Sequence, residues 1–583
     1  MNMHSAISAI FTSIIRAALY MAMALLLLQL GPANVAVAAE QKPGQEYVVL
    51  CYHSIPAGFN GDDGANSVSN FTTHLAWLRE NGYTAISVDD VLQAKAGRKP
   101  LPQKAYLLTV DDGYEDFYVN VFPILKAYKI PAVMAVVGRW IENGLDPDEI
   151  RVDPFYAKQK FVTWAQVKEM ADSGLVEIAS HSFDLHRGIL ANPQSNQQPA
   201  AITLRYDAAK NTYETAEERR LRVRSDLHLN SMLIRQYTGK SPRIMVWPYG
   251  QMDRISGEEA ARAGMPINLT LIDGFASTNN TEIVPRTLIT KEMRLSNFSY
   301  LVRHKETLRE REPMRAIRLS LDRIYDPDPV VQEQKLGRLL DQTARLGVNT
   351  VLLQPFVAPA EDGPKAGQIT EAYFPNSMMP MRADLLNRVA WQMHTRLTAE
   401  VFLLIDPAKV ARSEKNREDV LKLYSEMSLH VPVQGLLFEN GSVDADLLAR
   451  MSYWPLPRIY TTPRRSAMAG NDDKDKNIVY ASDRLIDGFV VTRPLHGDRG
   501  DTGELDAFAR TLPSDRINVV SLSLKDANSE DYQKMPAEVR FFQYRGITDF
   551  MVDGNDFLDD PKKSDLVRQA VSLKSNPFAV QGQ

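Results

Sequence analysis

A chain of 583 residues, 44% hydrophobic and 24% charged, is longer than one hydrophobic core ordinarily organises, so two domains are expected. Its formal net charge is −5 with both signs mixed along the chain, which offers no basic field for nucleic acid and by itself names no partner. A single cysteine, Cys51, excludes an internal disulfide and leaves stability to the cores.

In chain order, Arg16 precedes the apolar run "AALYMAMALLLLQL" (17–30), and small residues ending "AVAAE" follow. This reads as a secretory signal over residues 1–38, with Ala36-Val37-Ala38 as its cleavage motif; the 14-residue run falls short of the roughly 20 that span a bilayer. The mature chain is therefore expected in the periplasm or outside the cell. Apolar, β-rich runs then alternate with longer amphipathic stretches, as in an α/β protein. Strands are expected at 47–52 (with Cys51 buried in it), 106–110, 132–137, 176–180, 243–247 and 267–271. A polar stretch at 188–211, rich in Asn, Gln and Ala, reads as a long surface loop, and a charged helix follows to Tyr237.

The segment "RHKETLREREPM" (303–314) has many charges and few apolar residues, and marks a boundary. It divides the chain into a first domain at 45–300, a linker at 301–313 and a second domain at 314–575. Beyond it, strand-like runs recur at 316–321, 350–353, 400–405, 435–438, 458–461, 488–491, 518–524 and 548–552. Eight such runs with mostly helical connections predict a (β/α)8 barrel.

Chemistry concentrates where strands of the first half end. "HSFDLH" follows "LVEIAS" and places His181 and His186 five apart. On a helix they would diverge by about 140°, so they need a loop. "AYLLTVDDG" places Asp111 and Asp112 past a second strand, "RIMVWPYG" places Pro248 and Tyr249 past a third, and "VVLCYHS" places His53 past a fourth. Strand C-termini of α/β barrels converge on one face, so these four motifs are expected to meet. Each alone has a bland reading as a turn or a structural histidine; their coincidence does not. Two imidazoles and a carboxylate leave open positions on a divalent cation where water becomes acidic, and a second carboxylate can take its proton.

"TVDDG", "HSFDLH" and "WPYG", in this order, resemble the metal-dependent polysaccharide deacetylases, carbohydrate esterase family four. The resemblance implies Asp112, His181 and His186 as metal ligands and Asp111 as general base. It also implies the backbone N–H of Tyr249, after Pro248, as oxyanion donor and Trp247 as a pocket wall. That family's general-acid histidine commonly lies late in the domain, whereas "CYHSI" stands early here. This looks like the circularly permuted branch of poly-beta-1,6-N-acetylglucosamine N-deacetylases, with His53 as the acid.

"LSLDRIYDPDP" and "YFPNSMMPMRADLLNRVAWQM" look like that branch's C-terminal glycoside hydrolase-like barrel. The fold implied is a permuted deacetylase (β/α) barrel followed by a (β/α)8 barrel. The implied reaction is partial N-deacetylation of an exopolysaccharide before export, with a Zn, Co, Ni or Fe ion as cofactor. An outer-membrane porin is the implied partner. Val110 replaces the Phe usual in "TFDDG", and no lipid-attachment cysteine follows the signal, so a lipid anchor is not expected. In the second barrel, Asp322, Tyr325 and Glu439 are candidates for a glycan site. Tyr373 and Phe374 are further stacking candidates, and Trp391 is expected in the core. Hydrolysis there would need two carboxylates facing the bond, yet Asn440 stands where the branch has a catalytic acid. Another N-acetylated glycan, such as peptidoglycan or chitin, or a non-catalytic glycan-binding export protein, are the competing readings.

Overall fold

The computed structural model describes residues 44–58, 66–145, 159–291, 293–304, 312–363, 366–411, 415–439, 443–465, 478–479, 485–495, 502–514 and 516–573. The expected signal (1–38), most of the charged boundary segment and Asn440 lie outside the described residues. No helix among the described residues is long and apolar enough to cross a membrane.

The first half is a parallel sheet flanked by helices. Its strands are β1 (Glu46–Tyr52), β2 (Ala105–Val110), β3 (Ala132–Val136), β4 (Val176–Ser180), β5 (Ile244–Val246), β6 (Ile267–Leu269) and β7 (Thr287–Leu288). All residues of β2 and β3 are buried, as expected of central parallel strands covered on both faces. The hydrogen-bonded order runs β6-β5-β4-β3-β2-β1, with β7 parallel to the far side of β1. The ring is completed by irregular backbone: Thr270 N donates to Val284 O at 3.0 Å, Val284 N to Asn268 O at 2.8 Å, and Ile289 N to Cys51 O at 2.9 Å. Residues 284–289 thereby join β6 to β1. No strand was expected there, because a two-residue strand carries no periodicity.

The second half is a closed parallel barrel of β8 (Arg315–Ser320), β9 (Thr350–Gln354), β10 (Glu400–Ile405), β11 (Gly435–Phe438), β12 (Arg458–Thr461), β13 (Gly488–Pro494), β14 (Ile517–Ser523) and β15 (Asp549–Asp553), in sequence order. Alternate residues divide between two cores. Ala316, Leu352, Phe402, Leu437, Tyr460, Val519 and Met551 form one apolar cluster, while Ile317, Leu319, Val351, Leu403 and Leu436 join the larger one shared with helix residues. That segregation by parity separates barrel interior from helix layer.

The stretch expected as a surface loop at 188–211 is instead two β-hairpins, Gly188–Leu190 with Gln197–Pro199 and Tyr206–Asp207 with Thr212–Tyr213. Its polarity serves the junction between the barrels. Asn192 Nδ2 and Gln198 Nε2 donate to Asn387 Oδ1 at 2.7 and 3.0 Å, and Tyr213 Oη donates to Asp384. Buried amides that satisfy one another look, in sequence, like solvent-facing ones.

The junction also has a packed part. Asp253 caps the Arg254–Arg262 helix and accepts from both Arg219 and the Ser452 hydroxyl, each at 2.5 Å. Trp454 of the second half lies on Gly257, where a Cβ would sit 2.0 Å from the indole. Gly257→Ala should therefore displace Trp454 and destabilise the protein by about 1–3 kcal/mol. Denaturant unfolding of that variant beside the parent protein checks this.

Candidate metal centre and active site

Past β2 the chain turns sharply, with Asp112 at φ 76° and Gly113 at φ 77°. Aspartate is among the few residues that tolerate this left-handed conformation, and the turn sends adjacent carboxylates to different partners. Asp112 Oδ1 lies 3.3 Å from His181 Nε2 and 3.3 Å from His186 Nε2. His181 Nδ1 sits 2.7 Å from the Val246 carbonyl at the end of β5. A carbonyl only accepts, so Nδ1 carries a ring hydrogen and Nε2 is the nitrogen turned toward Asp112. Asp112 Oδ1 is buried and has no hydrogen-bond partner among the described residues. Two imidazole nitrogens and this orphaned oxygen, mutually within 4.8 Å, fit a divalent cation with coordination positions to spare.

Beside this centre Asp111 is engaged differently. Buried Arg286 donates to its two oxygens at 2.8 and 2.9 Å, and also to Thr109 Oγ1 at 3.2 Å and the Thr270 carbonyl at 2.8 Å. Burial alone would raise the Asp111 pKa, but Arg286 and, after it, the neighbouring His181 outweigh this and hold it below the ordinary carboxylate value. Asp111 thus stays ionised. Cys51 Sγ donates to Asp111 at 3.5 Å, and burial pushes its thiol up; Cys51, His53 and Asp111 also converge. His53 Nε2 stands 4.0 Å from Asp111 Oδ2. Its loop is tied by Asp116, which accepts from Ser54 Oγ at 2.6 Å and Ile55 N at 2.9 Å.

The histidine loop is held from beneath by the Ala216–Thr238 helix. Asp226 accepts from the backbone N–H groups of Phe183 and Asp184 at 2.8 and 2.7 Å. One turn on, Asn230 Nδ2 donates to the Val136 carbonyl and to Ser180 Oγ. Asp184 itself pairs with Arg139 at 2.6 Å, away from the metal ligands. The His186 ring packs against both Trp140 and Tyr249, with centroid distances of 4.7 and 4.8 Å. Tyr249 has φ 58° and is 45% exposed at the rim, above buried Pro248. Trp247 does not line a pocket: it is fully buried, and its indole N–H donates to Asn268 Oδ1 at 2.9 Å. It follows the alternation of β5, whose side chains are all buried.

In the second barrel the candidates are engaged in structure. Asp322 accepts from Tyr373 Oη at 2.6 Å, Ser320 Oγ at 2.8 Å and Ala358 N at 3.0 Å. Glu439 is paired with Arg318 at 3.3 Å and with Lys409 at 3.0 Å, and Lys409 also holds Asp406. Tyr373 and Phe374 are fully buried and so cannot stack on a sugar. Tyr325 is part-buried, with the Arg382 guanidinium over its ring. Trp391, expected in the core, is part-exposed and lines a cavity between the barrels.

Sequence reasoning missed Arg286, Asp226 and Trp140. Asp226 yields a prediction. Desolvation pushes its carboxyl up to about 7, against about 4 in an unfolded chain. The folded chain thus keeps a proton that the unfolded chain loses; the stabilisation is complete below about pH 4 and disappears as pH rises through about 7. In Asp226→Asn this pH slope should vanish. Metal affinity should also fall about 10- to 100-fold, since an amide offers one acceptor oxygen where two N–H groups need one each. Melting temperatures at pH 5 and 8 and a metal titration measure both effects.

Residues 98–267 match the polysaccharide deacetylase family model, and 318–405 match "hypothetical glycosyl hydrolase family 13". The chain is 33% identical over 445 residues to the poly-beta-1,6-N-acetyl-D-glucosamine N-deacetylase of Escherichia coli K12; the match covers 70% of this chain and 64% of that protein. Among solved structures, the deacetylase domain of BpsB from Bordetella bronchiseptica is 39% identical, covering 42% of this chain and 98% of its own, with a TM-score of 0.37. A de-N-acetylase from Aggregatibacter actinomycetemcomitans is 36% identical, covering 44% and 99%, with a TM-score of 0.40. With the "TVDDG" and "HSFDLH" motifs assembled into one three-donor centre and a closed parallel barrel following, residues 98–267 form a domain of the polysaccharide deacetylase family, in a chain that spans less than two thirds of the length of the curated relative it matches.

Proposed function

We propose that this protein is a metal-dependent N-deacetylase of a poly-beta-1,6-N-acetylglucosamine-type polymer. The observation that carries the reading is a carboxylate, Asp111, kept ionised by buried Arg286 beside a separate three-donor centre, with an imidazole 4.0 Å away. The polymer's identity is supported by the name of the Escherichia coli relative.

A cation held by Asp112, His181 and His186 supplies Lewis-acid polarisation and a more acidic water when bound. Asp111 takes a proton from the attacking water as its oxygen bonds to the acetyl carbon. His53 delivers a proton to the departing nitrogen as the C–N bond breaks, releasing acetate and a free amine. The Tyr249 backbone N–H is assigned to the oxyanion, a contribution of about 3–4 kcal/mol where such donors have been removed. Trp140 and Tyr249 confine the His186 ring.

In this reading residues 45–300 do the chemistry and 314–575 bind polymer, since Glu439 and Asp322 are committed to ion pairs and hydrogen bonds. Residues 1–38 would direct export. The polymer, partly cationic after deacetylation, would then pass to an outer-membrane porin and contribute to a biofilm matrix.

Acetate release from poly-N-acetylglucosamine oligomers should vanish on metal removal and return with Zn²⁺, Co²⁺, Ni²⁺ or Fe²⁺. His181→Ala should fail to recover. Asp111→Asn should lose about 10²- to 10⁴-fold in kcat while still binding metal; normal turnover in that variant would refute Asp111 as the base.

A further inference from the structure

Between the barrels lies a cavity of about 350 Å³ to which the proposed reaction assigns no occupant. The first barrel contributes Tyr249, Gln251 and Gln197 to its wall, and the second contributes Trp391, His394 and Gln434. It adjoins the metal centre, because Tyr249, packed on the His186 ring at 4.8 Å, is a wall of both. Gly188, two residues past His186, also lines it.

The lining has a definite chemistry. Two aromatic residues, Tyr249 and Trp391, line it and suit the C–H surface of a pyranose, and the exposed carboxamides of Gln197 and Gln251 offer donors and acceptors for hydroxyl and acetamido groups. None of the described lining residues is acidic. A glucosaminium ion would leave water there without a counter-charge, whereas an N-acetylglucosamine residue brings no charge. The wall is also fixed in advance. Asn387 is held by Asn192 and Gln198, and Gln434 Oε1 accepts from Val401 N at 2.8 Å.

We infer that this inter-barrel cavity is a subsite for a still-acetylated, uncharged sugar residue of the polymer whose neighbouring residue is being deacetylated. The inference rests on the proposed function for the polymer's identity. It gives the second barrel a part in selecting the residue to be processed. It also makes deacetylation self-limiting, since each product amine is a poorer occupant of the subsite than the acetamide it replaces.

The test uses the metal-loaded Asp111→Asn protein. Calorimetric titration compares a β-1,6-linked N-acetylglucosamine pentamer with its fully de-N-acetylated counterpart. The acetylated pentamer should bind at least about tenfold tighter, the scale of 1.4 kcal/mol. Trp391→Ala should abolish that preference. Gln251→Glu, a change at an exposed position, should reverse it by giving the amine a partner. Equal affinity for the two pentamers, or an intact preference in both variants, overturns the subsite. Acetate release by the otherwise unmutated protein separates the two ideas: selective binding without release sinks the catalytic reading and keeps the subsite, while release without selective binding does the reverse.

Discussion

Arg286 and Asp111 form the contact on which the site depends. Both side chains are almost wholly buried, and moving two charges out of water costs several kcal/mol each before their attraction repays it. A carboxylate buried without a partner would take up a proton, and Asp111 could not then serve the role proposed for it. Arg286 resolves the conflict only because it arrives from the irregular segment that joins β6 to β1. Closure of the first sheet and the ionised state of Asp111 are therefore one structural event.

Much of this was legible in the sequence for a simple reason. Parallel strands buried on both faces are written as uninterrupted apolar runs, and the residues following such runs lie at the mouth of the barrel. The eight strands of the second barrel and the meeting of Asp112, His181 and His186 both followed from that rule. Arg286 did not, because an arginine in "VPRTLIT" has no local mark and its partner lies 175 positions away. Asp226 was hidden in a helix crowded with charges, several of which form ion pairs with other elements. Trp247 misled through its neighbours: "WPYG" is a site motif, but only Tyr249 emerges at the rim, while the indole follows the strand inward.

The second barrel was harder to read because its polar residues serve two ends. Carboxylates at the mouth, where a hydrolase would keep its acid, are neutralised by Arg318 and Lys409. Amides that resemble loop composition, in the hairpins at 188–211, instead fasten the barrels together. Trp391 sits where these two facts meet, on a helix that is amphipathic in sequence but faces a second barrel rather than solvent alone.

One small contact reaches further than its size suggests. The Val246 carbonyl that fixes the His181 ring hydrogen belongs to β5, which is joined to β4 through a single paired position, Met245 with Ser180. The alignment of two neighbouring strands thus decides which nitrogen of a ligand is basic. A shift of β5 by a fraction of a residue would remove the acceptor that holds the hydrogen on His181 Nδ1 while leaving the residues of the three-donor centre on their own strands. For a cation held there as proposed, substitutions deep beneath the site would register first as a change in affinity, before the chain unfolds.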